Sequence, residues 1–448
     1  MKHTLHVGFI PVARPTFDVP LATDMASRMR ASLEEAGCVL RGPADLVMDL
    51  EALRAAADQL LSEPVDLLLA FQASFADSTT AVDLARMVPD APLLLWAAPE
   101  ERTGGRLRLN SFSGINLAGH ALRRAGLKYE YVFAQPEDSQ AMQKLLTLAR
   151  AGRVRRNLKN ARVGRFGLNP DGFEPCTYDG EALAARLGVQ VVQRGLADVF
   201  DGAAAAAVSA VEPVLANLQE RVDGLGELEQ DPLRKTLGAY VTLGRLADEN
   251  LFSGLAIRCW PEFFTELGCA VCGAMSLLTD EMTPCACEAD VNGAITGLML
   301  QGLSGEPAMG IDMVGWDLDR DEAVLWRCGV APLSMADPDV RPRATVHSSH
   351  MKPLLMEFPL KPGRVTLARL SQATGEYRLV VGIGEMQHAP RSYAGTSSVL
   401  RFDRPAQEVL NMIMAEGLDH HISLTYGDHL DALLALARLL DLPVLRLS

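Results

Sequence analysis

An α/β protein with two doubly wound domains followed by a β-rich, barrel-like C-terminal domain is the fold this sequence predicts, on three observations. Over the first third of the chain, short continuous apolar runs alternate with amphipathic helical stretches, as in a parallel sheet covered on both faces. A second alternation of the same kind starts at Ala161 to Phe166. After a Pro-rich join, Asp337 to Arg343, short strands broken by Gly363, Gly375 and Gly384 take over, which suits an antiparallel barrel or sandwich. These shifts put the domains at residues 1–155, 156–336 and 337–448. The length of 448 residues agrees with about three domains of roughly 150 residues.

The elements follow in order. Thr4 to Pro11 reads as a strand, Leu21 to Ala36 as a helix ending near Gly37, and Ala44 to Leu61 as a second helix. Val65 to Phe71 and Pro92 to Ala97 are apolar runs of strand length. Tyr129 to Phe133 adds a strand and Pro136 to Ala151 a helix. The basic run Arg153 to Lys159 reads as a solvated interdomain linker, with a phosphate- or sulfonate-binding role as the alternative. The second unit continues through a strand at Val189 to Gln193, an alanine-rich helix around Ala203 to Glu220 and a long helix over Asp231 to Asn250. Thr283-Pro284 predicts a helix over Pro284 to Leu300, with Thr as N-cap and Pro at the first position. The acids Asp317 to Glu322 form a hairpin tip before strand Ala323 to Arg327. The final domain should contain strands Leu354 to Pro359, Val365 to Leu370 and Glu376 to Ile383. Helix Ala406 to Glu416, strand His420 to Tyr426, helix Leu430 to Leu440 and a short strand complete it.

Composition narrows the function. With 56 acidic against 42 basic side chains, the formal charge is -14, and an acidic surface repels polyphosphate. Nucleic acid is therefore not the expected partner. No apolar run reaches the ~18 residues of a membrane helix, and the first residues lack the pattern of a secretory signal. The expectation is a cytoplasmic protein without a membrane partner. Eight cysteines do not make a disulfide scaffold in so long a chain. Cys269 and Cys272 with Cys285 and Cys287 have zinc-like spacing, but the second pair lies among small apolar residues, where cysteine packs as a hydrophobe. Gly382-Ile-Gly384 has no following βαβ unit, so it is not a dinucleotide fingerprint.

Three places carry candidate chemistry. Glu288 sits among small apolar residues, where a carboxylate needs a partner unless it complements a helix N-terminus. Its neighbour Asp290 is read as a surface acid of that kind. Asp312 lies in an apolar, glycine-containing strand without the turn context that explains most aspartates. In Asp419-His420-His421-Ile422, strand alternation groups His421 with Ser423 and Thr425 on the more polar face, although a histidine pair is also common as plain structure. Two carboxylates and an imidazole suit Mn²⁺, or Mg²⁺ or Co²⁺, with positions open for substrate.

Arg258-Cys-Trp-Pro-Glu-Phe263, then Ala286 to Val291 with Asp312, resembles the L-fucose isomerase/L-arabinose isomerase family. So do Phe358 to Leu367 and the paired histidines followed by Tyr426-Gly-Asp428. The N-terminal segments Arg14 to Asp18 and Asn110 to Gly114 are similar to family elements too. The resemblance spans nearly the whole chain, and the separation of Glu288 and Asp312 resembles the fucose branch. It implies an aldose-ketose isomerase that works through an enediolate on a monosaccharide or an anionic, sulfonated or phosphorylated, derivative. Glu288, Asp312 and one of His421 and His420 would hold the metal, and the two carboxylates would share the proton transfers. Arg14, Asp18, Ser111, Arg258, Trp260 and Arg327 would contact substrate, salt bridges being the alternative for Arg14 and Arg258. Many relatives carry His-Cys-Gly where this chain has Arg327-Cys328-Gly329, which points to a different, anionic substrate. The resemblance also implies a homo-oligomer, hexamer or trimer, with sites near subunit interfaces. The rival readings are a sugar epimerase on the same site and a non-catalytic sugar-binding protein.

Overall fold

Strands buried on both faces organise the N-terminal part of the computed structural model, which describes residues 4–448. The chain divides into two units at Asn157/Leu158. In the first, β1 (Leu5–Val12), β2 (Cys38–Arg41), β3 (Leu67–Gln72), β4 (Leu93–Ala97) and β5 (Glu130–Phe133) form a sheet in the order β2-β1-β3-β4-β5. All its neighbours are parallel, and this is a doubly wound order. Helices α1 (Val19–Glu35), α2 (Leu50–Leu61), α3 (Ser78–Met87), α4 (Ser111–Arg124) and α5 (Ser139–Lys159) connect or follow the strands. Every residue of β3 and β4 is buried, which is why both read as unbroken apolar runs.

Two expectations for this unit are corrected. The helix expected from Ala44 starts only at Leu50, because Asp49 caps it by accepting from the Ala52 N–H, and Val47 is held in a bridge with Val12. The basic run Arg153 to Lys159 is not a linker. It forms the last turns of α5, where Ala151 and Val154 are buried and Arg156 reaches the buried Asp66 at 2.6 Å.

The second unit starts with another parallel sheet. β6 (Arg162–Phe166), β7 (Gln190–Arg194), β8 (Gly254–Ile257) and β9 (Cys285–Cys287) lie in the order β7-β6-β8-β9. With them come α6 (Gly180–Leu187), α7 (Ala197–Ala205), α8 (Val208–Arg221), α9 (Gln230–Asn250), α10 (Cys272–Asp280) and α11 (Val291–Ser304). The single alanine-rich helix expected over Ala203 to Glu220 is two helices, bent by 89° at Ala206 and Ala207. The bend serves two cores: Val199 and Ala203 pack with the parallel sheet, whereas Val211 and Leu218 join the barrel core.

The remaining strands are β10 (Met309–Asp317), β11 (Glu322–Arg327), β12 (Arg343–Val346), β13 (Pro353–Pro359), β14 (Gly363–Ser371), β15 (Arg378–Gln387), β16 (Thr396–Phe402), β17 (His421–Tyr426) and β18 (Val444–Arg446). Six of them close an antiparallel barrel, β16-β11-β10-β17-β14-β15 and back to β16. Two of these staves, β10 and β11, precede the Pro-rich join. Helix α12 (Ala406–Glu416) leads into β17, and α13 (Leu430–Leu439) leads into β18, which lies parallel on β15. Helix α11 rests on the barrel, where Thr296 Oγ1 accepts from the Leu370 N–H at 3.0 Å and Thr425 bonds Ser304 at 3.2 Å. Among the described residues no single helix is long and apolar enough to cross a membrane.

Candidate functional site

The seam between β9, α11 and the barrel gathers the candidate residues. The helix expected over Pro284 to Leu300 begins only at Val291. Parallel pairing with β8 draws Cys285 to Cys287 into a strand instead, so strand pairing overrides the Thr283-Pro284 start signal. The chain then turns through Glu288 and Ala289, both left-handed at φ 59 and 54. Such non-glycine positions cost about 1–3 kcal/mol each and persist where the surroundings impose them. The turn points the Glu288 side chain toward β17.

Asp290 caps α11, accepting from the Gly293 N–H at 2.9 Å. The expectation that it is a surface acid is corrected, because it is 0% exposed. Its Oδ2 accepts from Arg369 at 2.6 Å and lies 2.8 Å from His421 Nδ1. Arg369 also donates to Asp419 at 2.9 Å and to the Pro175 carbonyl at 2.8 Å. Burial would raise the Asp290 pKa, but the charge of Arg369 and the hydrogen bond from His421 outweigh it and hold the carboxyl well below its usual range.

With the Nδ1 proton directed at Asp290, His421 presents Nε2 to the site. That nitrogen is 3.2 Å from Glu288 Oε2 and 3.8 Å from Asp312 Oδ1. Asp312 and His421 are direct cross-strand partners on β10 and β17, so the barrel register itself brings them together. His420, 40% exposed against 5% for His421, reaches Glu288 from the rim at 3.3 Å. Burial and Arg327 push the His421 pKa down, but Asp290 and Glu288 win and raise it. For Glu288, burial acts upward, while hydrogen bonds from His420 and His421 prevail and depress its pKa strongly.

Arg327, at the end of β11, is buried against the same atoms. Its Nη1 contacts both Asp312 oxygens at 2.7 Å, and its Nη2 lies 3.0 Å from His421 Nε2 and also meets the Cys287 sulfur. Burial disfavours this guanidinium charge, but Cys287 and Asp312 more than restore it. The donor set fits a divalent cation. Two carboxylates and the Nε2 atom of an imidazole, which gives up any proton there when it ligates, face one locus where a positive group already sits. Glu288, His420, His421 and the Cys176 sulfur offer donor atoms within 4.8 Å of one another. An ion that also took Asp312 would displace Arg327 from that carboxylate.

Beside this locus lies a pocket of about 290 Å³. Glu288, Asp312, Arg327, Trp260, His347 and His350 are among its walls. Trp260 is therefore placed with the carboxylates. Arg258 instead holds Glu262 at 2.7–2.8 Å and the Leu168 and Asn169 carbonyls. In the first unit, Arg14 stands over the Phe75 ring and 3.9 Å from Asp77. Asp18 caps α1 and pairs with Arg108 at 2.9 Å, and its hydrogen bonds from Leu21 and Arg108 lower its pKa. Ser111 is buried, donating to the Ala98 carbonyl at 2.8 Å. The zinc reading gains nothing, since no donor cluster among the described residues combines the two cysteine pairs.

Sequence reasoning missed the supporting network of Asp290, Arg369 and Asp419, and the pocket histidines His347 and His350. One signal was available: Arg369 is a lone charge inside the apolar run Val365 to Leu370.

Comparison with known proteins identifies the family. Residues 8–159 match the fucose/sulfoquinovose isomerase N-terminal domain, and residues 356–448 match the L-fucose isomerase C-terminal domain. The chain is 32% identical over 452 residues to a sulfoquinovose isomerase of Alkalicoccus urumqiensis, across 99% of this chain and 100% of the relative. It is 29% identical over 438 residues to a sulfoquinovose isomerase of Priestia megaterium, across 97% and 98% of the two chains. A sulfoquinovose isomerase of a Clostridium species is 30% identical over 445 residues, again across 97% and 98%. Full-length similarity of this extent, on a barrel that joins two carboxylates to a histidine, makes this chain an isomerase that belongs to the fucose/sulfoquinovose isomerase family.

Proposed function

We propose that this chain is a divalent-metal-dependent aldose-ketose isomerase of a sulfonated monosaccharide of the sulfoquinovose type. The observation that carries the reading is the convergence of Glu288 and Asp312, two walls of one pocket, on His421 Nε2. The names of the full-length relatives support the substrate class. In this reading Glu288, Asp312 and His421 hold the ion, with His420 at the rim, and Mn²⁺ is the expected metal.

Isomerisation takes a weakly acidic proton from a carbon bearing oxygen and returns it to the neighbouring carbon. When bound, a divalent ion supplies Lewis-acid polarisation of the two substrate oxygens. Glu288 and Asp312, approaching from different elements, are the groups that accept and return the proton. Strong depression of the Glu288 pKa keeps that carboxylate ionised, the form that ligates a cation. Asp290 holds the Nδ1 proton of His421 and so fixes the ring. Trp260 offers an apolar wall to the sugar ring. A homo-oligomer, hexamer or trimer, belongs to the same reading and is checked by light scattering.

The test is NMR of sulfonated, phosphorylated and neutral aldoses and ketoses incubated with Mn²⁺ in D₂O. Deuterium should enter at C1 or C2 as ketose forms from the sulfonated aldose. Chelator should abolish both, and Glu288→Gln or Asp312→Asn should slow them by about 10²–10⁴-fold. Tight sugar binding without exchange would refute the isomerase, and a C2 epimer as sole product would replace it with an epimerase.

A further inference from the structure

The Pro-rich join carries a second set of ligating side chains, none of which takes part in the isomerase reading. Asp337 is anchored there by its backbone N–H, which donates to the Pro359 carbonyl at 2.9 Å. Its Oδ1 accepts from the Asp339 N–H, also at 2.9 Å. The side chain is 2% exposed, yet Oδ2 is buried without any hydrogen bond. A desolvated carboxylate oxygen left in this way is uncompensated and calls for a partner.

The atom facing it is a ligand atom. His388, just beyond β15, places Nδ1 3.0 Å from Asp337 Oδ2, but not in hydrogen-bonding alignment. Asp339 brings a second carboxylate, and the three side chains offer donor atoms that all lie within 4.8 Å of one another. Two ligands each ~2.0–2.1 Å from one ion stand about 3.3 Å apart at tetrahedral angles. The observed 3.0 Å spacing is close to that value.

We propose that Asp337, Asp339 and His388 form a second divalent-cation site. One imidazole and two carboxylates select a borderline first-row ion of the zinc class, with water completing its shell. The ion clamps the Pro-rich join to the end of β15. Its role is structural, since its ligands stand apart from Glu288, Asp312 and His421 and come from two loops that flank the barrel.

The experiment is a Co²⁺ titration of the full chain, read by visible absorption and by the metal-dependent rise in Tm. Wild type should take up two equivalents. His388→Ala, and separately Asp339→Asn, should each lose one equivalent and the matching part of the Tm rise while keeping isomerase activity. Both positions are exposed, so folding is not at stake in these variants. The Glu288→Gln/Asp312→Asn double variant should still bind one equivalent, which His388→Ala added to it removes. If His388→Ala leaves cobalt uptake and the Tm rise unchanged, Asp337 and His388 are a bare ion pair and the site does not exist. Uptake of one equivalent by wild type that only the Glu288→Gln/Asp312→Asn change abolishes would overturn it equally. Activity loss in that double variant with its single equivalent intact keeps this proposal separate from the isomerase reading.

Discussion

Replacing Asp290 by Asn tests the support beneath the site, because the change keeps shape and removes one charge. Asp290 Oδ2 serves both Arg369 and His421, and Oδ1 serves the helix cap. A carboxamide has one oxygen and one NH₂, so it cannot satisfy both positions. With the oxygen toward Arg369 and His421, the NH₂ faces the Gly293 N–H and the cap is lost, at about 1 kcal/mol. With the opposite orientation, NH₂ confronts a buried guanidinium, which is worse. In either case Arg369, 3% exposed, keeps only Asp419 as a charged partner. Breaking a buried pair costs about 3–5 kcal/mol, and the surviving Asp419 contact places the total near the lower figure, about 3 kcal/mol. For a unit spanning Leu158–Ser448, that is a Tm decrease of about 5 °C. His421 also loses its carboxylate partner, so Mn²⁺ affinity should fall roughly 10–100-fold. Thermal melts and Mn²⁺ titration of Asp290→Asn read the two effects separately. An unchanged Tm would refute the charged, buried network, and unchanged Mn²⁺ affinity in a destabilised protein would refute the role given to the Nδ1 contact.

Other sites give equally direct outcomes. At Gly395, φ is +97 and an added Cβ would meet the Arg327 carbonyl at 2.6 Å, so Gly395→Ala should cost more than ~1 kcal/mol in urea unfolding and loosen the Arg327 contact with Asp312. Asp66, 0% exposed, accepts from the His6 N–H at 2.9 Å and from Arg156 at 2.6 Å; Asp66→Asn should destabilise the first unit by about 3 kcal/mol, and amide exchange in β1 and β3 reports it. Phe358, fully buried in the barrel core, should cost about 3–5 kcal/mol on truncation to Ala, measured as a lower urea midpoint at constant m-value. Saturating Mn²⁺ at 100 times its Kd should stabilise the fold by about 2.7 kcal/mol, and chelator should reverse the resulting Tm gain.

Strands β3 and β4 of the first sheet were legible because burial on both faces leaves unbroken apolar runs, as in Leu67–Gln72 and Leu93–Ala97, whereas the short β2, with only Cys38 buried, was not. The bounds of α12, Ala406–Glu416, coincide with those read from periodicity. The turn carrying Glu288 was not legible, because β9 has three residues and exists only through pairing with β8. No local rule announces such a strand, and the Thr-Pro cap signal argued for a helix. The partners of Asp290 were hidden for the same reason, since Arg369 lies 79 residues and His421 131 residues away in sequence. Residue types named the chemistry of Glu288, Asp312 and His421, whereas only the barrel register set Asp312 opposite His421. Arg153 to Arg156 failed as a linker because basic residues are good helix formers and one face of α5 is apolar there.

Strand β17 has a consequence for how the protein is made. It lies between β10 and β14 and pairs with both, yet it follows all five other barrel strands along the chain. A chain interrupted before residue 420 would expose two sheet edges at once, each rich in apolar residues. Until β17 emerges, the nascent chain also lacks both histidines facing Glu288, so ion capture cannot precede barrel closure. Nonsense or frameshift products should therefore accumulate as insoluble, edge-paired aggregates rather than as stable, metal-free fragments.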